Sequence, residues 1–254
     1  MSAPRSLRAT AASACGPNRR RNEDMAVLAT RLVRDGSDSA SWQRSDASRP
    51  FLAAVLDGLG GHQGGDVASA RVATRLADGV GRWSLECPAA QLAAGLAESL
   101  GDGRRELEEL GRLDAALTGA GTTCTALVVA AEAFVLLHVG DTRCYRRRDG
   151  LWKALTSDHA VLVPDGSGTP TPRLTHAVGA GVPALPTELV TDLTDMCWPG
   201  DVYVLVSDGV MAASGSEAAL ERALDAPDAQ TVLDRALADG GPDNATAVRL
   251  EILE

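Results

Sequence analysis

Four carboxylate groups in this sequence fall where apolar runs end or begin. The run FLAAVL stops at Asp57-Gly58, and VYVLV stops at Ser207-Asp208-Gly209. Asn22-Glu23-Asp24 directly precedes the apolar run from Met25, and Asp243-Asn244 directly precedes Ala245–Ile252. Carboxylates so placed lie at the rim of a core, and if they meet in a low-dielectric cleft they repel one another until a cation neutralises them. Oxygen ligands without His or Cys suit hard ions such as Mg2+ or Mn2+, not zinc. A glycine after the aspartate lets a backbone carbonyl come close to such an ion. Asp-Gly is also an ordinary turn pair, so each position alone has two readings. Four together favour a metal centre.

The elements that must position these groups read as α+β, without a regular βαβ alternation. Strands are expected at Met25–Val33, Phe51–Leu56, Thr122–Ala130, Phe134–Val139, Arg143–Arg147, Val202–Val206 and Ala245–Ile252. Val67–Trp83 and Ala89–Leu113 carry apolar residues at helical spacing, and a helical stretch over Glu217–Ala238 is broken at Pro227. Asp149-Gly150 is a tight-turn pair between two strands. Asp35–Arg49 and Val163–Pro172, rich in Ser, Asp, Pro and Gly, read as surface loops. No repeat or composition break divides the chain, so one domain over residues 1–254 is expected.

Composition removes several functions. A formal charge of −10 argues against a nucleic-acid binder, which needs clustered Lys and Arg. Arg146-Arg147-Arg148 reads as a solvated hairpin face. The five cysteines show no CxxC spacing and fit reduced, mostly buried thiols. The N-terminal stretch has no continuous apolar segment of the kind a secretory signal needs, and no run approaches membrane-spanning length. The expectation is a soluble, cytoplasmic protein with no membrane partner.

The order of motifs resembles the metal-dependent serine/threonine protein phosphatases of type 2C, in their bacterial form. Gly16 and Arg19 followed by Asn22-Glu23-Asp24 open the match, and DGLGGHQGGDVAS over Asp57–Ser69 continues it. Gly121-Thr122-Thr123, Val139-Gly140-Asp141-Thr142-Arg143 and Leu155-Thr156-Ser157-Asp158-His159 follow in the family's order. Leu174–Gly179, Ser207-Asp208-Gly209 and Asp243-Asn244-Ala245-Thr246 complete it. Single tripeptides are weak, but eight in order span nearly the whole chain.

The resemblance implies a four-layer αββα sandwich: two antiparallel sheets flanked by helices, with metals at one edge between the sheets. By position, Asp57 would bridge two cations and the Gly58 carbonyl would bind one. Asp208 and Asp243 would complete the first site, Glu23 would hold the second, and Asp24 would support its water shell. Asp141 with Asp208 matches a third, weaker ion. Arg19 aligns with the arginine that grips the substrate phosphate. The implied cofactors are two Mn2+ or Mg2+ ions, with or without the third. The implied reaction is hydrolysis of phosphoserine and phosphothreonine on proteins by a water that the metal pair activates, with no phosphoenzyme. The implied partners are phosphoproteins that a bacterial Ser/Thr kinase has modified, and the chain would act as a monomer. Agreeing with direct hydrolysis, there is no DxDxT run to supply an aspartyl nucleophile.

His62 has two readings, a substrate- or water-positioning side chain or a cap for the following helix. Leu59 stands where many eukaryotic relatives carry a histidine. His159 and His176 read as packed or hydrogen-bonding residues. Three departures from the family stand out: Asp66 in place of a glutamate, His176 in place of an arginine, and a short flap over Ala160–Arg173 that would open the site and broaden substrate choice. Two rival functions are a phosphoprotein-binding pseudophosphatase and another hard-metal hydrolase such as a nuclease. The presence of Asp57, Asp208 and Asp243 speaks against the first, and the acidic surface against the second.

Overall fold

A computed structural model describes residues 3–59, 64–164, 166, 169–179, 181, 185–238 and 240–254. Its elements are, in chain order, β1 (Ser6–Ala14), β2 (Met25–Leu28), β3 (Arg31–Val33), β4 (Gly36–Gln43), β5 (Phe51–Leu56) and β6 (Gly58–Leu59). Helices α1 (Gly65–Arg82) and α2 (Ala89–Leu113) follow. Then come β7 (Gly121–Thr122), β8 (Cys124–Val129), β9 (Phe134–Val139), β10 (Arg143–Arg148), β11 (Leu151–Ala154), β12 (Ala160–Pro164), β13 (Pro170–Leu174), β14 (Val178–Gly179) and β15 (Val190–Asp192). The chain finishes with β16 (Val202–Val206), α3 (Asp208–Ser214), α4 (Glu217–Leu224), α5 (Ala229–Ala236) and β17 (Ala245–Ile252).

Two antiparallel six-stranded sheets have the orders β11-β10-β16-β17-β1-β4 and β15-β9-β8-β5-β2-β3. Three buried clusters show how they stack. Leu76, Leu92, Leu96 and Leu100 of α1 and α2 pack on Leu52 and Val128 of the second sheet. Leu7, Leu28, Phe51, Phe134 and Tyr203 fill the space between the sheets, where the last two rings meet edge to face at 5.1 Å. Val204, Val206, Leu224, Val232 and Leu233 seal α4 and α5 to the first sheet. The order is therefore helix, sheet, sheet, helix, the expected αββα sandwich. Side chains alternate along a strand, so Phe51, Ala53 and Val55 face the sheet interface while Leu52, Ala54 and Leu56 face the helices. Because both faces are covered, the run is apolar throughout.

Several expectations need correction. Met25–Val33 is two strands, turned at Ala29, whose φ is 58°. Asp35–Arg49, expected as a loop, carries the edge strand β4, which pairs with β1 from Ser6↔Gln43 to Ser13↔Gly36. Its outer face is polar because nothing covers it. Val163–Pro172, also expected as a loop, contributes Val163 and Pro164 to β12 and Pro170, Thr171 and Pro172 to β13, which pair as a separate two-stranded sheet. β1 has no counterpart among the expected strands: SLRATAASA is poor in β-branched residues, and its place between β17 and β4 comes from close packing of small side chains. The arginines of β10 are not merely solvated. Arg148 forms two bonds of 2.7 and 2.6 Å to the buried Asp201 and stacks over Trp198, while Arg147 pairs with Asp225 at 3.4 Å. The Asp149-Gly150 turn stands as expected, with φ of 50° and 78°.

Strand register brings the acidic ends together. Met25 pairs with Leu56, so Asp24 and Asp57 adjoin at one end of the second sheet. Val206 pairs with Ala247, so the segment after β16 adjoins the segment before β17 at the same end of the first sheet. Among the described residues no helix is long and apolar enough to cross a membrane. All five cysteines are free, and only Cys15 is exposed.

Candidate metal centre

Asp57 leaves β5 with its backbone held on three sides. Its N–H donates to Thr123 Oγ1 at 3.0 Å, and its carbonyl accepts from Thr122 Oγ1 at 2.8 Å and from the Thr123 N–H at 2.9 Å. Gly58 follows because no side chain fits: a Cβ there would overlap the Gly65 and Glu23 carbonyls. Asp208 opens α3, and its carboxyl lies within side-chain contact of the Asp57 carboxyl. Two aspartates far apart in sequence, one from each sheet, are thus in side-chain contact.

Asp24 ties the same edge from below. Its side chain is buried, and its Oδ2 accepts from Ser207 Oγ at 2.8 Å. The Ser207 hydroxyl in turn accepts from the Thr246 N–H at 3.0 Å. Asn22, Ser13 and Thr246 extend the polar layer, with side-chain contacts of 2.8 Å between Asn22 and Ser13 and between Ser13 and Thr246. Glu23 is half-buried beside Gly65, and its carbonyl accepts from Ser69 Oγ at 2.6 Å. Asp243 pairs with Arg19 at the mouth of the site. Asp141 follows Gly140, whose φ of 106° turns the chain out of β9.

The charge balance fits the donor set. Burial raises the Asp57 carboxyl well above its usual range, and repulsion from Asp24, Asp208 and Asp141 adds to this. Burial, then repulsion from Asp208 and Asp158, pushes Asp141 up to about 6. Burial pushes Asp24 up to about 7 despite its hydrogen bonds to Ser207 and Thr246. Burial also raises Glu23, with repulsion from Asp66 next. As placed, no group of three such side chains among the described residues is close enough to hold an ion. What fits a pair of hard cations is the chemistry: adjacent, mutually repelling oxygen donors with Arg19 as the near cation.

These shifts predict a coupling between metal and acidity. Asp24 and Asp141 have folded values of about 7 and about 6, above the ordinary 3.8, so the folded chain binds their protons more tightly. Their stabilising contribution is complete below about pH 4 and is lost as pH rises to about 7. Cations must displace those protons in the acid range but meet bare carboxylates above it. The rise in Tm on adding Mn2+ should therefore grow between about pH 5 and about pH 7.5. Scanning calorimetry at both pH values checks this, and a rise that shrinks with pH would contradict it.

Residues not assigned from sequence do the positioning. Thr123 and Ser207 sit inside quoted motifs, GTT and SDG, where a hydroxyl beside the acidic residue was the available signal. Arg34 had none: its guanidinium donates to the carbonyls of Asp24 and Asp66, each at 2.9 Å, and to Ser69 Oγ at 2.7 Å. Arg21 pairs with Asp66 at 3.0 Å. His159 and His176 are packed as expected: His138 stacks on His159 with ring centroids 4.7 Å apart, and His159 meets His176 edge-on at 5.2 Å, beside β12 and β13. His62 lies outside the described residues, together with Gly60, Gly61 and Gln63.

A family model described as protein phosphatase 2C matches residues 35–163. The chain belongs to the protein phosphatase 2C family. The serine/threonine protein phosphatase PstP of Mycobacterium tuberculosis is 33% identical to this type 2C chain over 213 residues, 80% of the chain and 40% of PstP. The chain thus spans about two fifths of that relative's length. Protein phosphatase PhpP of Streptococcus pneumoniae is 29% identical over 217 residues, 79% of the chain and 85% of PhpP. The crystal structure of the PstP catalytic domain in complex with two manganese ions superposes with a TM-score of 0.72 at 28% identity, covering 98% of this chain and 99% of that one. A serine/threonine phosphatase of S. agalactiae shares the fold, with a TM-score of 0.77 at 23% identity over 98% of this chain and 100% of its own.

Proposed function

We propose that this chain is a metal-dependent serine/threonine protein phosphatase that hydrolyses phosphoserine and phosphothreonine monoesters on proteins, without a phosphoenzyme. The observation that carries the reading is the side-chain contact of Asp57 and Asp208, which joins carboxylates from both sheets at one edge. The family and the manganese-bound PstP domain support it.

Asp57, Asp208 and Asp243 would hold a first Mn2+ or Mg2+, and the Gly58 carbonyl would bind one of the two ions. Asp57 and Glu23 would hold a second, Asp24 would steady its surroundings, and Asp141 with Asp208 suits a weaker third. Such ions, when bound, acidify water and draw charge from phosphoryl oxygens. Arg19, held at the mouth by Asp243, offers a planar fork for two phosphate oxygens, which a lysine would not reproduce. The Thr123 and Ser207 contacts fix the acidic residues before substrate arrives, so little reorganisation is needed during reaction. The natural substrates would be cytoplasmic targets of a Ser/Thr kinase.

Release of inorganic phosphate from a phosphothreonine peptide should require Mn2+ or Mg2+, vanish with EDTA and return when metal is restored. Asp208→Ala should lower kcat by about 10²–10³-fold, the equivalent of several kcal/mol of charge stabilisation. Turnover that survives both treatments would remove the reading.

A further inference from the structure

Beside the acidic edge runs a groove of about 470 Å³ between the β10–β11 hairpin and helices α3 and α4. Arg143, Tyr145, Trp152, Met211, Glu217 and Glu221 are among the residues that line it. Two of its lining residues lie close along the chain to the candidate metal centre. Met211 lies about one helical turn beyond Asp208 on α3, and Arg143 lies two residues beyond Asp141. The floor between them is bonded: Arg143 Nη1 donates to Tyr145 Oη at 3.2 Å, and Tyr145 Oη donates to Met211 Sδ at 3.7 Å.

The groove is acidic where it is open. Glu217 and Glu221 stand one turn apart on α4, both are exposed, and neither has an ion-pair partner among the described residues. The guanidinium that lines the groove is already neutralised, because Arg143 binds both Asp158 oxygens at 2.7 Å. Trp152 is fixed by its Nε1–H, which donates to Asp225 Oδ1 at 3.1 Å. Free carboxylates next to a fixed indole and a thioether match one kind of side chain: a long apolar stem with a cationic head.

We propose that this groove binds the polypeptide flanking the phosphorylated residue and selects a Lys or Arg there, with Glu217 and Glu221 receiving its charge and Trp152 and Met211 its stem. The proposal rests on the phosphatase reading and names the substrate class of that same site: phosphoproteins with a basic residue near the phosphorylated one. An extended chain advances about 3.3 Å per residue, so the selected residue falls within a few positions of the phosphate.

The test compares phosphothreonine peptides that differ only in carrying Arg, Ala or Glu at flanking positions, with p-nitrophenyl phosphate as an ester too small to reach the groove. Wild-type kcat/KM should favour the Arg peptide over the Glu peptide by about three- to tenfold, the range for two exposed charge pairs, and the preference should fade in high salt. E217K/E221K should erase or invert that preference, while the ratio of Ala-peptide to small-ester turnover stays constant. Fluorescence anisotropy of the labelled peptides should show the same order of affinities, and it reports the groove even if no ester is turned over, an outcome that would overturn only the phosphatase reading. An Arg preference retained in E217K/E221K by both measurements, or its absence from wild type, would overturn the proposal.

Discussion

Asp57→Asn should leave this chain folded, more stable without metal than the wild type, and almost inactive with it. The two effects share one cause. Asp57 meets Asp24, Asp208 and Asp141, all of which push its carboxyl toward the protonated form, on top of burial. Replacing it with a neutral amide removes a carboxyl whose charged form is opposed by burial and by its acidic neighbours, so the metal-free Tm near neutral pH should rise. The same change removes the oxygen donor that would be shared between both ions, and turnover of a phosphothreonine peptide should fall by about 10²–10³-fold or more. The backbone bonds to Thr122 and Thr123 do not involve the side chain and survive the substitution. Calorimetry in EDTA and phosphate release in Mn2+ read the two halves separately. A metal-free Tm that drops would show Asp57 to be a structural acceptor, not a charge held ready for cations.

A second large effect is expected from a residue with no chemistry of its own. Gly209 lies directly against the chain before β17, and a Cβ built on it would overlap the Asn244 carbonyl oxygen. Gly209→Ala must therefore move the start of α3 away from Asp243-Asn244, and with it Asp208 away from Asp243. The obstacle is backbone, which has no rotamer to turn aside, so overpacking of about 1–3 kcal/mol is the minimum expected. For a chain of this size that lowers Tm by roughly 2–12 °C. Metal affinity should fall as well, because the two carboxylates assigned to one ion no longer sit in register. Gly215→Ala is the control: it lies at the other end of α3, where a Cβ meets open space, and its φ of 68° confines the cost to local backbone strain. Equal loss of manganese binding by titration calorimetry in both variants would contradict this account.

Much of the candidate site was legible because carboxylates at the ends of apolar runs are a one-dimensional pattern. Phe51–Leu56, Val202–Val206 and Ala245–Ile252 were read at their observed bounds, since buried strands write continuous apolar runs. β1 and β4 were not, since alanine and serine carry little strand preference and gain it only from neighbours already in place. Arg34 was equally silent, because its three acceptors are carbonyls and a hydroxyl brought together by folding.

The order and types of the acidic motifs, together with their glycines, determined the family and point to hard-cation chemistry. Which carboxylates touch was decided by the pairing of β2 with β5 and of β16 with β17 and by the stacking of one sheet on the other. Contact between Asp57 and Asp208 is a relation between sheets, and no spacing along the chain encodes the distance between two surfaces that only burial presses together.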